Sequence, residues 1–154
     1  MSTLSIDLRV ADPAWQALEA PEPLARRAFG AAAQQLKGPV SGEVAILLTG
    51  DAELRALNAK WRGRDYATDI LSFPPGDTGE AFLGDLALGF GACSRDAGVL
   101  GLTLADHITH LLIHGFFHLR GLDHECDDEA LTMEAMEAAA LARLGLHNPY
   151  RRGD

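Results

Sequence analysis

Apolar and polar residues along this 154-residue chain recur with two different periods, and each change of period marks a predicted element. Segment 4–10, "LSIDLRV", alternates apolar and polar side chains one by one, which is typical of a half-buried strand. Segment 43–49, "EVAILLT", is a short apolar run rich in strand-forming residues and predicts a central strand. After Thr103 the apolar residues recur at helical spacing, and Thr103 with Asp106 forms a capping-box pattern at the start of that helix.

The same patterns predict the element order β-α-β-α-β-β-α-α-α. Strands are predicted at 4–10, 43–49, 68–73 and 84–90, and helices at 13–36, 52–62, 92–98, from Thr103 to a stop at Gly121, and at 126–143. Asp51 is expected to cap the second helix, and the loop 74–83 allows the last two strands to pair antiparallel. The chain is therefore predicted to form a single domain over 1–154, of the α/β (α+β) class, with a small mixed four-stranded sheet packed by helices.

Charge narrows the function classes. The formal net charge is −9, which argues against a general nucleic-acid coat protein. Segment 55–64 nevertheless carries only basic charges and segment 125–137 only acidic ones, so a basic region and an acidic helix are predicted; the alternative is two solvated faces. The chain has two cysteines, its N-terminus is unlike a signal peptide, and it lacks an apolar run of about 18 residues. These features predict a cytoplasmic protein with no membrane span.

The stretch "HGFFHLRGLDH" (114–124) places histidines at offsets 0, 4 and 10, with a glycine at offset 7. His114 and His118 lie one helical turn apart on the same face, so both can reach one ion. Glycine at position 121 permits a sharp exit from the helix that can deliver His124 as a third ligand. Three imidazoles and a water describe a catalytic zinc site, so the spacing predicts metal binding; the alternative is a surface or core histidine cluster.

Two further histidines and one aspartate adjoin this motif. His107 and His110 fall on nearly the same helical stripe, where they can contact substrate, support the metal ligands or simply form a polar edge. His110 and His114 are also four residues apart, so helical spacing alone does not select one ligand pair. Asp123 can orient a ligand or move a proton, and the alternative is a turn-forming aspartate.

Gly115 stands where zinc peptidases of similar spacing carry the glutamate that serves as general base. A metal site without that carboxylate suits a substrate whose chief need is charge stabilisation, such as a phosphodiester. Arg62, in "KWRGRDYATDILSF" (60–73), offers a planar fork to phosphate. Its neighbour Trp61 suggests a single-stranded RNA binder, and the alternative is a solvated helix end with Trp61 in the core.

"HGFFHLRGLDH" resembles the signature H-G-x-x-H-L-x-G-[YF]-D-H of the YbeY family, bacterial metal-dependent endoribonucleases and rRNA maturation factors. Segments 57–74, 83–89 and 107–115 resemble other blocks of that family, in the same order. Two positions depart from the family pattern: Leu122 replaces the usual aromatic residue, and Ala67 replaces a common proline.

The resemblance implies that His114, His118 and His124 bind one zinc ion per chain and that Arg62 and His114 are catalytic. It also implies cleavage of single-stranded RNA in 16S rRNA 3′-end maturation and ribosome quality control, with the small ribosomal subunit and assembly factors as partners. Two alternatives stay open. One is a non-catalytic ribosome assembly factor with a structural metal, and the other is a metal-dependent hydrolase of another class.

Overall fold

Four strands and five α-helices follow one another in the predicted order in a computed structural model that describes residues 3–63, 68–75, 81–122 and 126–150. The strands are β1 (Thr3–Val10), β2 (Ser41–Thr49), β3 (Ile70–Phe73) and β4 (Phe82–Gly89). The helices are α1 (Pro21–Ala33), α2 (Asp51–Arg62), α3 (Phe90–Leu100), α4 (Leu104–Leu119) and α5 (Asp127–Arg143). Within these ranges no helix combines the length and apolar character needed to cross a membrane.

The strands form one mixed sheet in the spatial order β1-β2-β4-β3. Strands β1 and β2 run parallel, as do β2 and β4, whereas β3 pairs antiparallel with β4. Ile70 lies opposite Leu88, and Phe73 lies opposite Asp85. Because β3 comes last in the strand order, it is an edge strand. The predicted mixed four-stranded sheet and its antiparallel pair are confirmed.

The two faces of the sheet pack against different helices because successive side chains of a strand point to opposite sides. On β2, Val44, Ile46 and Leu48 are buried in the main core, which they share with residues of α1, α4 and α5. The stacked rings of Phe29 and Phe116, 5.2 Å apart at their centroids, join α1 to α4 in that core. On the opposite face, α2 covers a smaller cluster formed by Leu54, Leu71 and Ala87. Helix α4, which carries the histidines, is therefore anchored to the larger core.

The single helix predicted at 13–36 is wrong, because the structure divides this segment into a 3₁₀-helix, Pro13–Ala17, and α1. Ala20 separates them with a left-handed backbone, at a φ of 47°. Proline disfavours helical geometry in the residue before it but is well suited to the first turn of a helix, so Pro21 ends one element and begins the next.

The predicted cap at Asp51 is also wrong. Gly50 is the N-cap of α2, and as a glycine it contributes no side-chain cap. The Asp51 carboxylate instead accepts hydrogen bonds of 2.9 Å from the backbone N–H of Ala92 and from the Arg95 guanidinium. The Ala92 N–H lies in the first turn of α3, where backbone N–H groups have no partner within their own helix. Asp51 supplies that partner.

Candidate active site

Helix α4 presents a stripe of histidines on the side away from its apolar contacts. Ile108, Leu112 and Phe116 are buried in the main core, while His110, His114 and His118 are partly exposed. The Thr103 hydroxyl accepts a hydrogen bond of 3.1 Å from the N–H of Asp106, as the capping pattern predicts. Gly121, just past the end of the helix, has a φ of 87°, so the chain turns sharply there as predicted.

His114 and His118 turn their outer ring nitrogens toward each other. The two Nε2 atoms are 3.0 Å apart, and the ring centroids are 4.6 Å apart. Two imidazole nitrogens at about 2.0–2.1 Å from one tetrahedral zinc ion would be separated by about 3.3 Å. The pair therefore fits a shared zinc ion closely. The predicted third ligand, His124, and the neighbouring Asp123 lie outside the described residues.

Glu137 of α5 contacts His114 and His110 and is only 1% exposed. Its Oε2 is 2.9 Å from Nδ1 of His114, and its Oε1 is 2.6 Å from Nε2 of His110. The Tyr150 hydroxyl donates a third hydrogen bond, of 2.7 Å, to Oε1. Since an ionised carboxylate can only accept, His114 donates through Nδ1 and directs the lone pair of Nε2 toward His118.

The electrostatics favour a permanent negative charge on Glu137. Burial opposes ionisation of this group, but hydrogen bonds from His110, His114 and Tyr150 outweigh it and hold its pKa at about 2. Burial and the neighbouring carboxylate raise the pKa of Tyr150, so its hydroxyl stays protonated and remains a donor. A carboxylate behind an imidazole raises its basicity as a metal ligand, so His114 could hold a metal ion.

Glu137 is not among the functional residues predicted from the sequence. The interpretation of segment 125–137 as a solvated acidic face does not hold there, since Glu137 occupies the buried stripe of α5. Its neighbours on that stripe, Met133, Ala140 and Leu141, are apolar and buried. An acid in the middle of an apolar stripe at helical spacing was the available signal.

His107 belongs to a different group from the other histidines of α4. It is 3% exposed, and its Nε2 is 3.9 Å from Oδ2 of Asp69. With Asp69 and Asp96 it forms a cluster whose potential ligand atoms all lie within 4.8 Å of one another. These three residues could hold a metal ion. Neither aspartate was singled out from the sequence, because they lie on segments far apart in the chain.

The structure shows what Gly115 does in place of a glutamate. A Cβ atom at this position would lie 2.8 Å from Cδ2 of Leu86 and 3.1 Å from Cδ1 of Ile70. Residue 115 therefore faces the sheet, and glycine lets α4 approach β3 and β4 closely. A glutamate there would enter the core instead of lying beside the histidines.

The basic segment forms an exposed surface at the end of α2. Trp61 is 63% exposed, so its placement in the core is excluded, and Nζ of Lys60 lies 5.0 Å from the centre of its ring. Arg62 donates a hydrogen bond of 2.9 Å to the carbonyl of Ser72 on β3, and its guanidinium lies 5.9 Å from the ring of Phe73. Beside them is a groove of about 650 Å³, whose lining includes Arg9, Leu57, Trp61, Phe73, Pro74 and Asp85.

Comparison with known proteins agrees with this architecture. The family model described as Endoribonuclease YbeY matches residues 13–145. Endoribonuclease YbeY of Maricaulis maris is 47% identical over 97% of this chain and 94% of its own length. The protein of the same name from Chelativorans sp. is 42% identical over 95% of this chain and 93% of its own. The solution structure of TM1509 from Thermotoga maritima has the same fold, with a TM-score of 0.57 and 20% identity over 96% of this chain and all of that one.

The family match covers the strands and helices that build the histidine site, from the 3₁₀-helix to the end of α5. Relatives with more than two-fifths identity extend over nearly the whole chain. On these grounds the chain belongs to the YbeY family of endoribonucleases.

Proposed function

We propose that this protein is a zinc-dependent endoribonuclease specific for single-stranded RNA, with one zinc ion held by His114, His118 and His124. It acts in 16S rRNA 3′-end maturation and ribosome quality control in the cytoplasm, with the small ribosomal subunit and assembly factors as partners. The observation that carries the proposal is that the Nε2 atoms of His114 and His118 face each other. Buried Glu137 fixes the ring of His114 through its other nitrogen, Nδ1.

Three groups around the pair prepare it for this role. Glu137 fixes the ring orientation and proton position of His114, and Tyr150 and His110 hold the carboxylate in place. A zinc ion bound there supplies Lewis-acid stabilisation of negative charge at the scissile phosphodiester. Stabilising charge on a phosphodiester needs no carboxylate at position 115, whereas peptide hydrolysis needs a general base. The glycine at this position therefore favours phosphodiester over peptide chemistry.

The surface at the end of α2 supports RNA as the substrate. Arg62 uses one donor on the Ser72 carbonyl, which holds the guanidinium plane at the edge of the sheet. A guanidinium held this way can bind a phosphate and stabilise charge that develops on it. The exposed ring of Trp61 offers a platform on which a base of a single strand can stack, which supports a preference for single strands.

The test is zinc content by elemental analysis and cleavage of a single-stranded RNA by wild type, His114→Ala and His147→Ala. His147 is exposed and lies outside the site, so its variant controls for the loss of a histidine. We expect His114→Ala to lose one equivalent of zinc and the cleavage activity, and His147→Ala to keep both.

Two results would contradict the proposal. Cleavage at the wild-type rate by His114→Ala would remove the histidine site from the reaction. Loss of zinc from His114→Ala, with no RNA cleavage by the wild type on isolated RNA or on small ribosomal subunits, would instead identify an assembly factor with a structural metal.

A further inference from the structure

A second cluster of metal-binding side chains lies two helical turns before His114. Asp69 immediately precedes β3, Asp96 belongs to α3 and His107 to α4, so three separate elements contribute. One potential ligand atom from each residue lies within 4.8 Å of the other two.

His107 indicates that something more than a chance grouping of acids is present. The residue is 3% exposed, and neither ring nitrogen makes a hydrogen bond with any part of the chain that the structure describes. Buried polar atoms in proteins are nearly always paired, so two unpaired nitrogens on one buried ring call for a partner. Nε2 of His107 lies 3.9 Å from Oδ2 of Asp69, which is too far for a hydrogen bond.

Among the residues that the structure describes, no lysine or arginine forms an ion pair with Asp69 or Asp96. Burial raises the pKa of Asp69, and a hydrogen bond and charge repulsion from the adjacent Asp96 carboxyl add to this, so that the pKa lies at about 6. Burial lowers the pKa of His107, so the imidazole is neutral and offers a lone pair rather than a positive charge. A cation is the partner that would satisfy all three side chains together.

We propose that Asp69, Asp96 and His107 form a second metal site, for a first-row divalent cation such as Zn²⁺. Two carboxylate oxygens and one imidazole nitrogen are ligands that suit zinc or manganese. Calcium and magnesium prefer oxygen-only ligand sets, and the imidazole disfavours them.

The second ion would be separate from the one at the histidine pair. His107 and His114 are seven residues apart on one helix, which places them about 10 Å apart along its axis. Paired metal ions that share a substrate oxygen lie about 3.5–4 Å apart, so this is not a bridged two-metal centre. The ion would instead tie α3 and α4 to the start of β3, the strand whose Ser72 carbonyl holds Arg62. Its expected role is to fix the edge strand.

The experiment titrates metal-free full-length protein with Zn²⁺ by calorimetry and counts bound zinc by elemental analysis. It compares wild type, Asp96→Asn and the control Asp128→Asn, which removes an exposed carboxylate on α5. We expect two zinc equivalents for wild type and Asp128→Asn and one for Asp96→Asn. The second affinity should fall by more than about tenfold, since even indirect supports of a metal ligand matter that much.

The same variants in the His114→Ala background separate this site from the histidine site. His114→Ala and His114→Ala/Asp128→Asn should each bind one zinc equivalent, and His114→Ala/Asp96→Asn none. Equal zinc binding with and without Asp96→Asn in both backgrounds would overturn the second site, whatever the outcome for RNA cleavage.

Thermal unfolding provides a measurement that does not depend on RNA cleavage. Without metal, Asp96→Asn should unfold at a higher temperature than wild type, because it removes one of two facing carboxyls. Added Zn²⁺ should raise the unfolding temperature of wild type more than that of Asp96→Asn. An equal rise in both proteins would contradict the proposed site.

Discussion

At the scale of single residues, the histidine site depends on one buried acid. Glu137 accepts hydrogen bonds from two histidines of α4 and from Tyr150, and these contacts fix which nitrogen of His114 faces His118. The segment from His114 to His118 contains no carboxylate that could do this. The orientation of the proposed metal ligand is therefore supplied by another helix.

The first prediction concerns Glu137→Gln. The amide keeps the size of the side chain but removes the charge and one acceptor, so His114 loses its fixed orientation. We expect the zinc affinity of the histidine site to fall by about 10–100-fold, the usual effect of losing such a support. Zinc titration measures it, with Glu129→Gln as an exposed control on the same helix. Unchanged affinity in Glu137→Gln would show that the carboxylate does not act on the metal site.

At the scale of elements, the two faces of α4 have different roles. One face packs into the main core and meets the sheet at Gly115, and the other presents the histidines. The close approach at Gly115 brings the helix against β3 and β4. A larger residue there would push α4 away from the sheet and disturb both faces.

We therefore expect Gly115→Ala to destabilise the protein. The new methyl group would meet Cδ2 of buried Leu86 at 2.8 Å. Overpacking a core typically costs about 1–3 kcal/mol, which outweighs the about 0.5–1 kcal/mol that alanine gains in helix propensity. Gly30→Ala is the matched control, since Gly30 also lies within a helix but its Cβ would meet nothing within 4 Å. That variant should gain about 0.5–1 kcal/mol from higher helix propensity. Urea unfolding measures both, and equal effects of the two substitutions would contradict the packing role of Gly115.

At the scale of the whole molecule, the sheet separates two surfaces. The histidine site belongs to the side that carries α4 and α5, while Trp61 and the groove belong to the side covered by α2. Arg62 reaches the edge strand β3 from the end of α2. A formal net charge of −9 leaves phosphate binding to such local basic groups.

This arrangement predicts distinct effects on metal and on RNA. Arg62→Ala should lower RNA cleavage by about 10²–10³-fold, the range for removing a group that stabilises developing charge. Zinc content should be unchanged, because Arg62 is not a metal ligand. Arg27→Ala, an exposed arginine of α1, controls for the loss of positive charge. Full cleavage activity in Arg62→Ala would exclude its proposed role.

The sequence by itself determined the features that depend on neighbours close in the chain. Helical spacing put His110, His114 and His118 on one stripe, and Thr103 capped their helix as predicted. Element order and the mixed sheet followed from the two hydrophobic periods, and the motif blocks identified the family. Local periodicity and turn chemistry act over a few residues, which is why they can be read from one sequence.

Only the tertiary structure decided which distant side chains meet. Glu137 contacts His110 across 27 residues, and Asp51 serves α3 across 41 residues instead of its own helix. His107 lies beside Asp69 and Asp96, although helical spacing puts it on the same stripe as the other three histidines of α4. Contacts of this kind depend on how α3, α4 and α5 pack around the sheet. Helical spacing shows which face of a helix a side chain occupies, but not which residue of another element it will contact.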